Sequence, residues 1–314
     1  MKILLTGASS FTGFWFATSL ADAGHQVHVT LTRDGVNSYG DVRRHRITAT
    51  NVRCRPHYSC RFGDERFIKL LNDECFDLLC HHAADVTNYR SNDFAVCEAV
   101  ANNTHQIQQV LATFRDRGGK AAVFTGSIFE GGEGIGSQGT PHFSPYGLSK
   151  ALTAQIAEYY CRSVGLAMGK FVIPNPFGPW EDPRFTAYLI RSWKAQEIPH
   201  IKTPDYIRDN IHISLLAETY VAFAEKLAES SASSGLLKCN PSGYIETQGA
   251  FAERVASELR PRLGWLCEVS HAKQEEFTEP LIRVNTDSAA RTFPDWDEAR
   301  AWDQFAEYYL STAK

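Results

Sequence analysis

A chain of 314 residues with 43% hydrophobic content is long enough to bury a substantial core, which excludes an intrinsically disordered segment. A formal charge of -4 leaves no general basic footprint, so neither nucleic acid nor an anionic membrane surface is an expected partner. The eight cysteines form no CxxC pair and no compact framework, which argues against a metal site or structural disulfides and for buried thiols in a reducing, cytoplasmic setting.

In chain order, KILLTG predicts a short buried strand and FWFATSLADAG a helix, with Phe14, Ala17, Leu20 and Ala21 on one face and Gly24 at its end. The apolar run Ile3 to Leu5 is only strand-sized and is followed by Thr6 and Gly7, so it does not read as a signal peptide. HQVHVTLT is a second strand. FDLLCHHAA (76–84) and KAAVFTGS (120–127) are two more, separated by the helical stretch ANNTHQIQQVLATFRDRG. KFVIPNP (170–176) is a later strand that breaks at Pro174 and Pro176, which cannot donate to a sheet ladder. Beyond it the pattern is irregular, and no segment approaches the ~20 apolar residues of a membrane span. The Gly-rich stretch Glu130 to Pro145 reads from composition as an ordinary surface connection, and its place just before YGLSK favours a mobile loop instead.

Alternating strands and helices predict an α/β fold with a doubly wound parallel sheet. The expected division is a parallel-sheet part over 1–174, with 205–232 returning to it, and a smaller mixed C-terminal lobe over 175–204 and 233–314.

Three motifs carry chemistry. TGASSFTG, Thr6 to Gly13, lies between a strand and a helix, where a glycine turn aims backbone N–H groups and a positive helix end at a pyrophosphate. Gly7 allows the turn and Gly13 allows close helix packing, while Ser9, Ser10, Phe11 and Thr12 complete the loop. By itself the loop does not separate a cofactor site from a bare glycine turn. In SPYGLSK, Tyr146 and Lys150 share a helix face, so an ammonium can lower the phenol pKa and let it exchange a proton near neutrality. Ser127, at the end of VFTGS, offers a hydroxyl for the same substrate oxygen.

With these motifs in this order, the chain resembles the extended short-chain dehydrogenase/reductase family of NAD-dependent epimerases and dehydratases that modify nucleotide sugars, and the resemblance covers nearly the whole sequence. It implies a Rossmann-type fold and a catalytic set of Ser127, Tyr146 and Lys150. TGASSFTG is similar to the family's TGxxGxxG, with Ser10 in place of the middle glycine. FGD implies that Asp64 faces the adenine, and CHHAAD that His82, Ala83 and Ala84 line the cofactor. Asn103 falls where the family has a structural Asn near that site. By the same resemblance PNPFGP implies that Asn175 approaches the substrate's nucleotide diphosphate and DYIRDNIHI that Arg208 binds its nucleotide portion, at a phosphate or the ribose, with an Arg208–Asp209 surface pair as the plainer alternative. A homodimer through helices near 100–115 and 150–163 is a further implication.

Family dehydratases carry an acidic pair directly after the catalytic Ser or Thr. Here Ile128 and Phe129 follow Ser127, which points away from dehydration, although Glu130 is close. After the second strand the chain reads LTRDG, where Arg33 suits the 2′-phosphate of NADP(H) and Asp34 leaves NAD(H) open. The expected activity is an NADPH-dependent reduction of a 4-keto nucleotide sugar, with an NAD-dependent C4 epimerase as the alternative. A cofactor-binding sensor without turnover is the reading from a different class.

Overall fold

The computed structural model describes residues 1–137, 139–230 and 235–311. From the N-terminus, β1 (Lys2–Thr6), α1 (Phe11–Asp22), β2 (Gln26–Thr30), α2 (Asp41–Arg53), β3 (Arg55–His57), α3 (Glu65–Asp73) and β4 (Leu78–His81) alternate. They lead into α4 (Val96–Asn103), α5 (Ile107–Asp116), β5 (Ala121–Ser127), β6 (Ile135–Gly136), α6 (Pro145–Val164) and β7 (Ala167–Ile173). Next come β8 (Asn175–Phe177), α7 (Phe185–Lys194), β9 (His200–Ile201), β10 (Ile207–His212), α8 (Ile213–Ala228), β11 (Leu236–Cys239) and β12 (Pro241–Ser242). The chain closes with β13 (Tyr244–Thr247), α9 (Gln248–Leu263), β14 (Ser270–His271), β15 (Ile282–Val284), β16 (Asp287–Ser288), α10 (Ala289–Thr292) and α11 (Glu298–Ser311).

Two compact units result. The first contains Met1–Glu133, Thr140–Ile173 and Ala217–Asn240. Its sheet has seven strands in the order β11-β7-β5-β4-β1-β2-β3, and every pair is parallel. The order reverses at β1, whose neighbours are β2 and β4, so the ends of β1 and β4 flank the crevice where an open α/β sheet binds its ligand. Both faces of such a sheet are covered, and accordingly β1, β4 and β5 are almost wholly buried runs. Leu4, Phe67, Leu79, Val110, Phe114 and Met168 form one core of this unit.

Three local readings are corrected here. The helix expected over 101–118 is two helices, α4 and α5, because Asn103 is pinned by its side chain and Gln106 adopts a left-handed φ of 50°. The stretch Glu130 to Pro145, expected to be mobile, is tied down: Glu130 and Glu133 are buried, Gly132 N donates to Thr140 O, and the Phe129 and Phe143 rings stack at 5.0 Å. Gln138 within it lies outside the described residues. Of the cysteines, Cys75 and Cys97 are exposed and Cys239 is half-buried, whereas the other five are buried.

The second unit contains Gly134–Gly139, Pro174–Leu216 and Pro241 onward. Its main sheet runs β13-β10-β15-β6, with β8 also pairing β10. Phe177, Trp193, Phe251, Trp302 and Phe305 fill its core. Among the described residues no helix is long and apolar enough to cross a membrane.

Glu181 is buried in this second unit, accepting from Thr186 Oγ1 at 2.6 Å and from the Tyr309 hydroxyl at 2.9 Å. Burial pushes its carboxyl up to about 7 from an ordinary value of 4.5. A carboxyl raised on folding stabilises the fold fully below its unfolded pKa, and that contribution is lost as pH rises through about 7. Across that window the loss is about 1.4 kcal/mol per pH unit. Glu181→Gln should flatten this dependence, so that urea unfolding at pH 8 and pH 5 differs less in the variant than in the wild type.

Candidate active site

The glycine turn follows β1 and ends in α1. Gly7 has φ 84°, and a Cβ there would lie 2.8 Å from Ala83 N. At Gly13 a Cβ would lie 2.2 Å from Gly7 O. Neither position therefore accepts another residue without moving backbone. Ser10 is the N-cap of α1: its Oγ accepts from Gly13 N at 3.1 Å and donates to Gly7 O at 2.9 Å. Among the described residues the first-turn N–H groups of Phe11 and Thr12 carry no hydrogen bond, so two helix-end donors are left for an anion. Phe11 itself is buried under the Arg46 guanidinium, 5.8 Å from its ring centroid, and Arg46 also reaches the Ser9 carbonyl at 3.5 Å.

His82 binds this turn to the sheet. Its Nε2 lies 3.1 Å from Ser10 Oγ and 3.0 Å from Thr12 Oγ1, and its Nδ1 lies 3.0 Å from Thr125 Oγ1. Burial, then the charge of Lys150, pushes it down to about 3, so the ring is neutral. The backbone N–H groups of His82 and Ala83 both donate to Thr6 Oγ1, at 3.1 and 2.9 Å, and Ala84 follows half-buried. His81, which the sequence motifs do not single out, bridges Thr6 Oγ1 and Asn103 O at 3.0 Å each. Asn103 spends both ends of its amide internally, accepting from Asp85 N and donating to Thr153 Oγ1. Asp64 caps α3, taking Phe67 N at 2.7 Å on one oxygen and Arg61 N at 2.9 Å on the other.

After β2 the first residue is Leu31, which is buried, so no carboxylate sits at the strand end. Arg33 follows, exposed, with its guanidinium 5.2 Å from the Tyr39 ring centroid and bonded to Ser38 O. The Asp34 carboxylate accepts from the Ser38 hydroxyl.

Ser127 ends β5, and Tyr146 and Lys150 stand on the first turns of α6, capped by Ser144 with Pro145 at its start. These elements meet closely: a Cβ on Gly147 would be 1.9 Å from Phe129 O, so YGLSK requires its glycine. Ser127 Oγ accepts from Phe129 N at 3.2 Å, a bond that does not use its own O–H. The Tyr146 ring meets those of Tyr89 and Phe94 edge-on, at 5.6 and 5.9 Å. Lys150 is buried, which lowers its pKa; Glu130 opposes that fall and Lys170 adds to it.

Glu130 does not project as a second acid beside Ser127. It is fully buried, with Oε1 accepting from Ser127 N at 2.7 Å and Oε2 ion-paired to Lys170 at 2.5 Å, off the hydrogen-bonding direction. Lys170 also contacts Glu133 at 2.7 Å, and Glu133 is held by Lys238 and Asn240, each at 2.9 Å. The sequence offered a signal for this cluster, since a lysine inside the buried strand AMGKFVI needs a paired partner.

In the second unit, Asn175 donates its amide to Asp209 O at 3.0 Å. The alternative of an Arg208–Asp209 surface pair does not hold: Asp209 is buried and its carboxylate takes Gly243 N at 2.8 Å and Asn285 N at 2.9 Å. Arg208 instead pairs with Glu279 at 2.7 Å, donates to the carbonyls of Ile207, Pro280 and Leu281, and lies 4.4 Å from the Tyr206 ring centroid. Its register partner on β15 is Arg283, which the motifs missed. Arg208 and Arg283 are thus neighbours across the β10–β15 ladder, and burial and the Arg208 charge pull Arg283 down to about 10.

A profile of the NAD dependent epimerase/dehydratase family matches residues 3–234. No curated protein matches the chain in sequence. Among solved structures the chain is similar to UDP-glucose 4-epimerase with UDP-glucose from Thermotoga maritima, at 19% identity and a TM-score of 0.74 over 100% of both chains. It is also similar to UDP-glucuronic acid 4-epimerase from Bacillus cereus in complex with UDP-glucuronic acid and NAD, at 18% identity and a TM-score of 0.73, covering 99% of this chain and 100% of that one. A third is the Thermus thermophilus UDP-glucose 4-epimerase complex with NAD, at 17% identity and a TM-score of 0.70 over 99% of each chain. Identities this low establish a shared fold.

Gly147→Ala tests how α6 is seated. The added methyl meets a backbone oxygen rather than a flexible side chain, so α6 has to shift. A loss of about 1–3 kcal/mol in chemical denaturation is expected. An unchanged unfolding curve would mean that the Phe129 carbonyl yields without cost.

Proposed function

Because the chain belongs to the NAD dependent epimerase/dehydratase family, we propose that it is a nucleotide-sugar 4-epimerase using Ser127, Tyr146 and Lys150. The observation that carries this reading is the inward placement of Glu130, bonded to Ser127 N and paired with Lys170. With that carboxylate committed, Glu130 does not stand beside Ser127 as an acid for elimination. The remaining chemistry is hydride transfer with a tyrosine acid/base.

When bound, a nicotinamide dinucleotide supplies reversible hydride acceptance. The unbonded N–H groups of Phe11 and Thr12, with the close-packed Gly7 and Gly13, suit its pyrophosphate. Tyr146 takes the proton of the substrate's 4-hydroxyl as that carbon is oxidised, and returns it on reduction. The Ser127 hydroxyl donates to the same oxygen, and the Lys150 ammonium favours the phenolate. In the second unit, the adjacent Arg208 and Arg283 guanidinium groups suit a diphosphate, with Asn175 as a weaker neutral contributor. Uridine diphosphate sugars are the first candidates, since the similar solved structures bind them.

A second reading, NADPH-dependent reduction of a 4-keto sugar, is favoured by one observation: β2 is followed by buried Leu31, and the first charged side chain after the strand is Arg33. Mass spectrometry of the cofactor released from purified protein separates the two. The epimerase reading expects NAD(H), with Arg33→Ala leaving its affinity nearly unchanged. NADP(H) that is lost selectively in Arg33→Ala would carry the reductase instead.

Tyr146→Phe should fold normally yet lose about 100-fold or more of C4 epimerisation across a panel of UDP-sugars followed by proton NMR. A loss below tenfold would remove Tyr146 from the acid/base role. No turnover by the wild type on any nucleotide sugar would favour a sensor.

A further inference from the structure

We propose that Phe277 is a base-stacking residue: its exposed ring takes the nucleobase of the nucleotide whose diphosphate Arg208 and Arg283 hold. The inference rests on the reading of those two arginines given above.

Phe277 is the one aromatic residue in a polar stretch, AKQEEFTEP (272–280), and it is 51% exposed. The loop that carries it is nevertheless fixed on both sides. Asp205 N donates to Gln274 Oε1 at 3.0 Å before the ring, and Glu279 N donates to the Tyr206 hydroxyl at 3.0 Å after it. Gln274 Nε2 also donates to Glu276 O at 3.2 Å, and Ile207 N, at the start of β10, donates to Leu281 O at 2.8 Å. A ring held half out of the core by an anchored backbone forfeits much of the gain that burial would bring. One exposed apolar side chain is ordinary by itself. Its neighbours give this one a use.

Tyr206 links the ring to the cation. Its own ring is buried, with the Phe277 ring nearly perpendicular to it at a centroid separation of 5.6 Å and the Arg208 guanidinium carbon 4.4 Å from its centroid. Arg208 is ion-paired at 2.7 Å to Glu279, two residues beyond Phe277, so the loop that presents the ring also fixes the guanidinium. Arg283 stands opposite Arg208 on β15. One buried aromatic ring therefore lies between the exposed ring and the cation, a spacing comparable to that between base and phosphate in a single nucleotide. The occupant follows from this pairing of chemistries. An apolar peptide has no anion for two guanidinium groups, and a free phosphate has no flat apolar face; a nucleotide has both. Because every base has a π-face, stacking of this kind does not depend on which base is bound.

The test is calorimetric titration of full-length protein, saturated with its nicotinamide cofactor, with UDP and with inorganic pyrophosphate as probes. Phe277→Ala should weaken UDP about tenfold or more and leave pyrophosphate, which has no base, unchanged. Phe277→Trp should keep UDP affinity, and the fluorescence it adds over the wild type should be quenched by UDP but not by pyrophosphate. UDP affinity in Phe277→Ala within about twofold of the wild type overturns the proposal. So does an equal loss for pyrophosphate, because the substitution would then act through Arg208 and not through a base. A wild type that binds neither probe removes the diphosphate role of the arginines and the proposal with it. Phe277-dependent UDP binding without turnover of any UDP-sugar would uphold the proposal and sink the 4-epimerase reading alone.

Discussion

Two backbone oxygens set the geometry on which the candidate site depends. The Gly7 carbonyl leaves no space for a side chain at Gly13, and the Phe129 carbonyl leaves none at Gly147. The first contact seats α1 over the end of β1, presenting its free N–H groups to an anion. The second seats α6 against the turn after β5, so the helix bearing Tyr146 and Lys150 is registered on the strand bearing Ser127. Contacts of backbone on backbone have no rotamer to relax, so they hold position more tightly than side-chain packing does.

Around these contacts the first unit uses buried polar groups as ties. Thr6 accepts two N–H groups from the end of β4, and His82 joins the helix cap to Thr125. Every such group is costly if left unpaired, which makes the network cooperative in its demands. The charge cluster of Glu130, Glu133 and Lys170 follows the same logic at higher stakes. Ser10 belongs to this scheme. Its hydroxyl caps α1 and contacts His82, so the residue that departs from the glycine pattern takes over work that a glycine could not perform.

Much of this was legible in the sequence because it depends on local pattern. Short apolar runs marked β1, β4 and β5, and the four-residue spacing of Tyr146 and Lys150 marked their shared helix face. What escaped depends on long-range placement. Residues 41–73 hold α2, β3 and α3, but α2 is strongly polar with few buried residues, so its periodicity is faint. Arg208 and Arg283 are far apart in sequence and meet only through strand register. Glu130 is visible in the sequence as an acid near Ser127, yet only the fold reveals that its carboxylate points inward to Lys170. The Gly-rich stretch misled for a related reason: composition reports freedom of the backbone, whereas two buried glutamates within it decide that it is held.

The central claim is that one carbon of a nucleotide sugar is oxidised and re-reduced within a single site, with the Glu130 carboxylate turned inward and away from elimination. A UDP-sugar deuterated at C4, incubated with the purified protein in ordinary water, tests this most directly. Mass and NMR analysis of the product should show the C4 epimer with its deuterium retained at that carbon and no net change in cofactor oxidation state. Release of water to give a keto-deoxy sugar, or stoichiometric consumption of reduced cofactor, would contradict the account.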